Sequence, residues 1–322
     1  MAGASAISYN IRRKEETLNN QEEYVAFLND VAERMEHYYE GKVKGEVVTS
    51  IKNNQVAVTG LLLKGIEKQV APSFYLENQF VQWMQGSLTM EEVIGGLRRV
   101  YEEEVEKNCH LVGEIHFEWQ EFKERVFPRL INQEKNQELL KGLPYLEFLD
   151  LAVVYYYALP IGESVVGTMV VTSEHLDALG ITIEELHDAA IKNYHNFQPV
   201  SFRSMDDILL NLGRKFGMPA NVLREKPMYM CVLTNSKGMY GAMSMFFIEE
   251  LEWFARQLDR SFYVLPSSIH EIILVPEYEN FSAEYFSQMV KEINETQVDP
   301  IEVLSDSVYY YDIKTGELRR VG

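Results

Sequence analysis

The sequence predicts an α+β fold: a mostly antiparallel or mixed sheet with helices packed on one face, and a small N-terminal helix-hairpin lobe. Three observations carry that expectation. Short runs rich in Val, Ile, Phe and Tyr recur next to each other with only turn residues between them, so hairpins outnumber strand-helix-strand alternations. Helices are announced separately by capping boxes ahead of apolar stripes at three- and four-residue spacing. Finally, 322 residues that are 46% hydrophobic and 12% aromatic are enough to build a substantial core.

Residues 1–19 are polar and aperiodic and read as a frayed lead-in. Asn20, with Glu23 three positions on, opens a helix whose Tyr24, Phe27, Leu28, Val31, Met35 and Tyr38 form one stripe. Runs over 46–51 and 55–63 read as a hairpin turning at Asn53-Asn54, residues that tolerate the positive φ of a type I′ turn. A helix near 76–85 is stopped by Gly86, and Thr89 with Glu92 caps another running to about Lys107. On it, Arg98 and Arg99 precede Glu102 and Glu103 by one helical turn, which suits a solvated, charge-paired face.

A domain boundary near 115 is expected, dividing a lobe at 20–115 from a main domain at 116–322, with one continuous domain as the alternative; no Pro/Gly/Ser linker marks it. Residues 125–132 are strand-like, 134–140 helical, and 148–159 and 165–172 two further strands linked through Gly162. Ser173 caps a short turn, and Thr182 with Glu185 caps a helix to about Asn196. The segment 199–207 reads as a loop. It is followed by a short helix at 205–212, a strand at 228–233 and a turn at 235–238. A helix over 248–258 precedes strands at 262–265 and 269–275, a helix capped by Ser282, a strand at 308–311 and a Lys314-Thr315-Gly316 turn.

The net charge of −19 comes from acids spread over both halves of the chain, which disfavours direct binding to nucleic acid or to an anionic membrane. No apolar run approaches the length of a membrane span. Two cysteines far apart, Cys109 and Cys231, indicate neither a disulfide framework nor a thiolate metal site, and a reducing cytoplasm fits best. No metal and no cofactor is expected. Histidines 110 and 116 with Glu114, or His187 with His195, lack an evident third and fourth ligand.

Catalytic signatures fail at identifiable positions. His270-Glu271 would begin a zinc-protease motif, but Leu274 stands where the second histidine belongs. Gly60 and Gly65 have phosphate-loop spacing, yet Ile66 replaces the lysine. Gly162-Glu163-Ser164 resembles the start of a nucleophile elbow, with Val166 where glycine is required.

Three constellations remain. In FYVLPSSIHEIILVP, two strands enclose Ser267, Ser268, His270 and Glu271. Imidazole beside a carboxylate could activate a serine hydroxyl, and strand alternation puts Ser268 and His270 on one face, so the acid would be Glu271 only across the strand, or else Asp150 or Asp306. The alternative is that these groups satisfy a turn. Asn132, Glu134, Asn136 and Asp150 are polar residues at element ends, suited to capping or to a pocket at a sheet edge. The 19 tyrosines include runs at 155–157 and 309–311, so Tyr309 and Tyr311 are candidates for a contact surface or for a tyrosine-rich core.

Four motifs in order, PRLINQEKNQELL (128–140), LPYLEFLDLAVVYYY (143–157), LPSSIHEIILVP (265–276) and VDPIEVLSDSVYYYD (298–312), make the chain resemble an uncharacterised domain-of-unknown-function family of gut Clostridia. The resemblance runs from about residue 20 to 315. It departs from the family pattern at Gln133, where an aromatic is usual, and at Tyr145-Leu146, where a His-Arg pair is frequent. A second, more distant similarity is to another uncharacterised Firmicutes family. The resemblance implies a cytoplasmic bacterial protein associated with mobile elements, and no established activity.

The expected function is therefore a non-catalytic interaction or regulatory protein of clostridial accessory genomes, binding another protein and contacting neither nucleic acid nor membrane, with Asn132, Asn136, Tyr309 and Tyr311 as binding residues. The alternatives are a hydrolase using His270 with Ser268 and a carboxylate, Glu271 or Asp150, and an acidic mimic of nucleic acid.

Overall fold

The computed structural model describes residues 21–65, 71–102, 118–161, 165–205, 230–266, 268–278 and 282–322. The lead-in at 1–19, the cap at Asn20, Cys109, the His110, Glu114 and His116 cluster, Glu103 with the end of the Thr89 helix, Gly162 to Ser164, residues 206–212 of the expected short helix, and Ser267 lie outside them. The fold is α+β. The chain divides into two compact units: Met1–Ile51, Ala57–Ile115 and Leu159–Gly167 form one, and Lys52–Val56, His116–Ala158 and Thr168–Gly322 the other.

In the first unit, helix α1 (21–38) lays its apolar stripe against a three-stranded antiparallel sheet of β1 (Val43–Ile51), β2 (Ala57–Gly65) and β3 (Ser73–Phe74). Phe27, Leu28, Val31 and Met35 are buried with Leu61 and Leu63, whereas Tyr38 is exposed at the end of the stripe. Gly45 permits the approach, because a Cβ there would sit 2.7 Å from the Cβ of Ala32. Helices α2 (Glu77–Met84) and α3 (Met90–Val100) complete this core through Phe80, Val93 and Leu97. Gly86 ends α2 at φ 71, and Thr89 and Glu92 form the full capping box.

The hairpin turn differs from the type I′ expectation. Ile51 pairs with Ala57, Lys52 N–H bonds the Val56 carbonyl, and the positive φ falls on Asn54 and Gln55, not on Asn53. Asn53 is instead buried, its amide donating to the Ile301 carbonyl at 2.8 Å, so tertiary hydrogen bonds override the local turn preference.

In the second unit, a short helix α4 (Trp119–Phe122) leads into β4 (Val126–Asn132), which pairs antiparallel with β6 (Leu151–Ile161). A 3-10 turn (Glu134–Asn136) and α5 (Gln137–Leu140) connect β4 to β5 (Leu146–Phe148), and β7 (Val165–Val170) also pairs with β6. One strand was expected from Phe148 onward. The structure breaks it at Leu149-Asp150 into a β5–β6 hairpin, with Phe148 opposite Leu151 and Leu149 at φ 57. Helix α6 (Ser173–Leu179) is capped by Thr172 and not by Ser173, and α7 (Ile183–Phe197) carries the expected Thr182/Glu185 box.

The second sheet has six strands in the order β13-β12-β10-β11-β9-β8, every neighbouring pair antiparallel. These are β8 (Val200–Ser204), β9 (Cys231–Asn235), β10 (Phe262–Pro266), β11 (Ile272–Pro276), β12 (Tyr309–Asp312) and β13 (Glu317–Arg320). Residues read as a loop at 199–207 thus include an edge strand, and β13 was not anticipated at all. Both faces carry helices, not one. On one side the Tyr263 ring packs, tilted, at 4.9 Å against Phe286 of α9 (Ala283–Thr296), and on the other Phe262 meets Phe254 of α8 (Ile248–Leu258) at 5.1 Å. Adjacent strand residues point to opposite faces, so this Phe-Tyr pair alone specifies a two-sided sheet.

Candidate functional site: a polar cleft around Asp150

The two-residue β5–β6 turn places a carboxylate where an extended segment passes. Ser305, Ser307 and Tyr309 alternate along that segment, so their hydroxyls share one side. All three donate to Asp150: Ser305 Oγ at 3.2 Å and Ser307 Oγ at 2.8 Å to Oδ2, and Tyr309 Oη at 2.8 Å to Oδ1. Arg320 Nη1 of β13 stands 3.9 Å from Oδ2. Burial, and then the Asp150 charge, push the Tyr309 phenol well above its ordinary value, so it remains a donor.

Between these serines, Asp306 points the other way. Its Oδ1 accepts from the Asn294 amide of α9 and its Oδ2 from Lys135 Nζ, each at 2.8 Å. Burial alone would raise this carboxyl, but the Asn294 and Lys135 hydrogen bonds, with the charges of Lys135 and Lys291, hold it below the usual range. Asn132, the last residue of β4, accepts the Lys135 backbone N–H at 2.8 Å and so starts the 3-10 turn that brings Lys135 to Asp306.

Asn136 is fully buried and serves as a brace. Its amide donates to the Asn132 carbonyl and to Asn54 Oδ1, while its own oxygen accepts Asn54 N–H at 2.7 Å. Asn54 Nδ2 in turn donates to the Pro300 and Val303 carbonyls. Left-handed Asn54 thereby fastens the 300–303 segment just before the three-hydroxyl run.

These groups wall a cleft of about 520 Å³, whose charged lining is Glu134, Lys135, Asp150, Lys291, Asp306 and Arg320. A second hollow of about 490 Å³ shares Glu134 and Asp150 with it and is also lined by Gln133 and Tyr145. Asp150, Asp306 and Lys135 are engaged by protein partners. Glu134 and Lys291 have no hydrogen-bond or ion-pair partner within contact distance among the described residues, although the Lys291 charge acts on Asp306.

His270 lies elsewhere. Its Nδ1 accepts the Tyr240 backbone N–H at 3.0 Å, which leaves the ring proton of the neutral form on Nε2, 3.5 Å from Glu302. Ser268 Oγ accepts the backbone N–H of His270 at 3.0 Å, and Ser268 N–H donates to the Glu271 carbonyl. The hydroxyl thus closes its own turn and no bond joins it to the imidazole; Glu271 is exposed, and Asp150 is occupied in the cleft. The Ser-His-carboxylate relay that the hydrolase alternative requires is not assembled here.

The tyrosine positions need a correction. Tyr309 and Tyr311 are buried, as are Tyr155, Tyr156 and Tyr157, so the expected outward tyrosine face is not presented. Ring area on these strands goes into packing, as where Phe262 stacks on Tyr311 at 5.2 Å. His187 bonds the Tyr155 hydroxyl at 2.9 Å, and burial lowers its basicity. Among the described residues no group of three or more His, Cys, Asp or Glu could hold a metal ion, and no helix is long and apolar enough to cross a membrane.

Of the residues picked out from sequence, Asn132, Glu134 and Asp150 line the cleft and Asn136 supports it. Lys135, Lys291, Ser305, Ser307 and Arg320 were not picked out. The Ser-x-Ser-x-Tyr alternation was a legible signal for the three hydroxyls that meet at Asp150; nothing local marks Lys291 or Arg320.

No curated protein matches this chain, and no solved structure does. A family described as "Family of unknown function (DUF5688)" matches residues 24–313, which include every residue of the Asp150 cluster except Arg320. The chain belongs to that family.

Proposed function

We propose that this chain is a non-catalytic interaction or regulatory protein of clostridial accessory genomes, resident in the cytoplasm, that binds another protein at the polar cleft around Asp150. One observation supports the reading: the internal carboxylates of the cleft are engaged by their own hydroxyl, amide and ammonium donors, while the exposed Glu134 and Lys291 that also line it make no hydrogen bond or ion pair among the described residues. Engaged groups give a rigid, preorganised wall, and the two exposed charges without a contact partner select a partner side chain of each sign. The overall acidity favours a protein partner over nucleic acid or an anionic membrane.

The test is affinity capture from the native host with the wild-type chain and with Lys291→Glu and Glu134→Lys, both exposed enough to leave folding intact. A discrete partner held by wild type and lost from both variants, at unchanged melting temperature, supports the reading. A partner retained equally by all three contradicts it.

A further inference from the structure

We infer that the groove between α1 and α2 of the first unit docks a basic amphipathic segment of a partner protein, one that seats apolar side chains on Trp83 and Met84 and sets arginine or lysine beside Glu23. The groove shares no residue with the Asp150 cleft and does not rest on the function proposed for it. Glu23, Ala26, Asp30 and Glu33 recur at three- and four-residue spacing, so they form one ridge of α1 beside its buried stripe. On α2, Phe80 turns into the core, Trp83 packs 5.2 Å from Phe27 and stays half-buried, and Met84 is 52% exposed. Val81, one position short of a full turn before Met84, is 49% exposed. Between the two walls lies a hollow of about 380 Å³, lined by Glu23, Ala26, Phe27, Asp30, Trp83 and Met84.

An apolar hollow with polar sides marks a contact surface, and charge decides what fits it. Along α1 five carboxylates stand against one cation, Arg34, and α2 adds Glu77 with no lysine or arginine. That one cation is held by Asp30 at 2.8 Å and lies 3.9 Å from Glu91 of α3. Glu23 and Glu33 are exposed and have no hydrogen-bond or ion-pair partner among the described residues. An occupant must therefore bring apolar area and positive charge together. Arginine and lysine do so within one side chain, since the stem covers the Trp83 ring and Met84 while the head group reaches Glu23. A second copy of the chain would set its own carboxylates against these, and nucleic acid or an anionic membrane is repelled.

The probes are three blocked peptides of one length and one helical repeat: leucine with arginine, serine with arginine, and leucine with glutamate. The readouts on the full chain are the indole 15N-1H resonance of Trp83, assigned by its loss in Trp83→Phe, and affinity by titration calorimetry. The leucine-arginine peptide is expected to shift that resonance saturably and to bind about tenfold more tightly than either control. Glu23→Lys should weaken it about fivefold and Met84→Ser about threefold, both at unchanged melting temperature because both side chains are exposed. Glu295→Lys on α9, an equal change of charge, should leave affinity within about twofold. Equal binding of the serine-arginine peptide, which bare attraction to an acidic chain would give, overturns the inference, as does equal binding of the leucine-glutamate peptide. An unmoved Trp83 resonance, or equal losses in Glu23→Lys and Glu295→Lys, contradicts it too. Self-association of the free chain that Met84→Ser abolishes would seat a second copy in the groove instead. Binding that appears only when Arg12→Glu and Arg13→Glu are combined would give the groove to the chain's own residues 1–20, and either result sinks the proposal.

Discussion

The Tyr309 hydroxyl donates a 2.8 Å hydrogen bond to Asp150 Oδ1 across 159 positions of sequence, tying the β5–β6 turn to the first residue of β12. Ser305 and Ser307 bind the other oxygen of the same carboxylate, so one side chain closes three long-range contacts. Because a hydrogen bond to a charged group contributes about 1.5–3 kcal/mol, Tyr309→Phe is expected to lose about 1–2 kcal/mol, and Asp150→Ala, which orphans three hydroxyls, about 2–4 kcal/mol. Chemical denaturation checks this, and in the double variant the losses should fall short of additive because both changes remove the same bond.

Acid should act through Asp306. Its folded carboxyl is held below the ordinary value of 3.8, so its contribution is fully present above that pH and is lost as pH falls below 3.8 through the folded value. Thermal melts from pH 5 down to about 2 should show a smaller acid-side decline for Asp306→Asn than for wild type, from a lower starting stability. Equal slopes would mean that Lys135 and Asn294 do not bias this titration.

Burial on β9 pushes the Cys231 thiol up to about 11. Native protein at pH 8 should therefore leave Cys231 unlabelled by a maleimide, located by peptide mass spectrometry, and denaturant should expose it. Labelling of Cys231 in the native state at the rate of a free thiol would contradict the packing of this sheet.

The turn around His270 is tightly enclosed. A Cβ on Gly241 would lie 2.1 Å from Thr234 Oγ1 and 2.6 Å from the His270 carbonyl, and Thr234 Oγ1 donates to that same carbonyl at 2.8 Å. Gly241→Ala is expected to cost about 3 kcal/mol or more. His270→Ala, which strips the acceptor from the Tyr240 amide, should cost about 1–3 kcal/mol. Both are read from denaturation midpoints.

Where local chemistry and tertiary demand agreed, the sequence was readable. The Thr89/Glu92 and Thr182/Glu185 boxes cap the helices they announced, and Ile248–Leu258 is a helix at the bounds that its stripe suggested. It failed where long-range bonds decide. Leu149 adopts a positive φ that leucine disfavours, so Asp150 alone was left to mark the hairpin that carries it. Asn53-Asn54 signalled a turn correctly but concealed its larger role, which is to reach Pro300, Ile301 and Val303. Of the candidate site, the Asn132, Glu134, Asn136 and Asp150 group was visible as polar residues at element ends. Lys291 and Arg320 enter only through the packing of α9 and β13, and the latter strand had no apolar pattern to reveal it.

The claim that the cleft is a binding surface is tested most directly by photo-crosslinking in the native host, with a benzophenone amino acid replacing Glu134 and, as control, exposed Trp253. A single protein adduct at Glu134, absent from Trp253 and lost when Lys291 is also changed to Glu, is the expected result. No adduct at Glu134, or the same adducts from both positions, would contradict it.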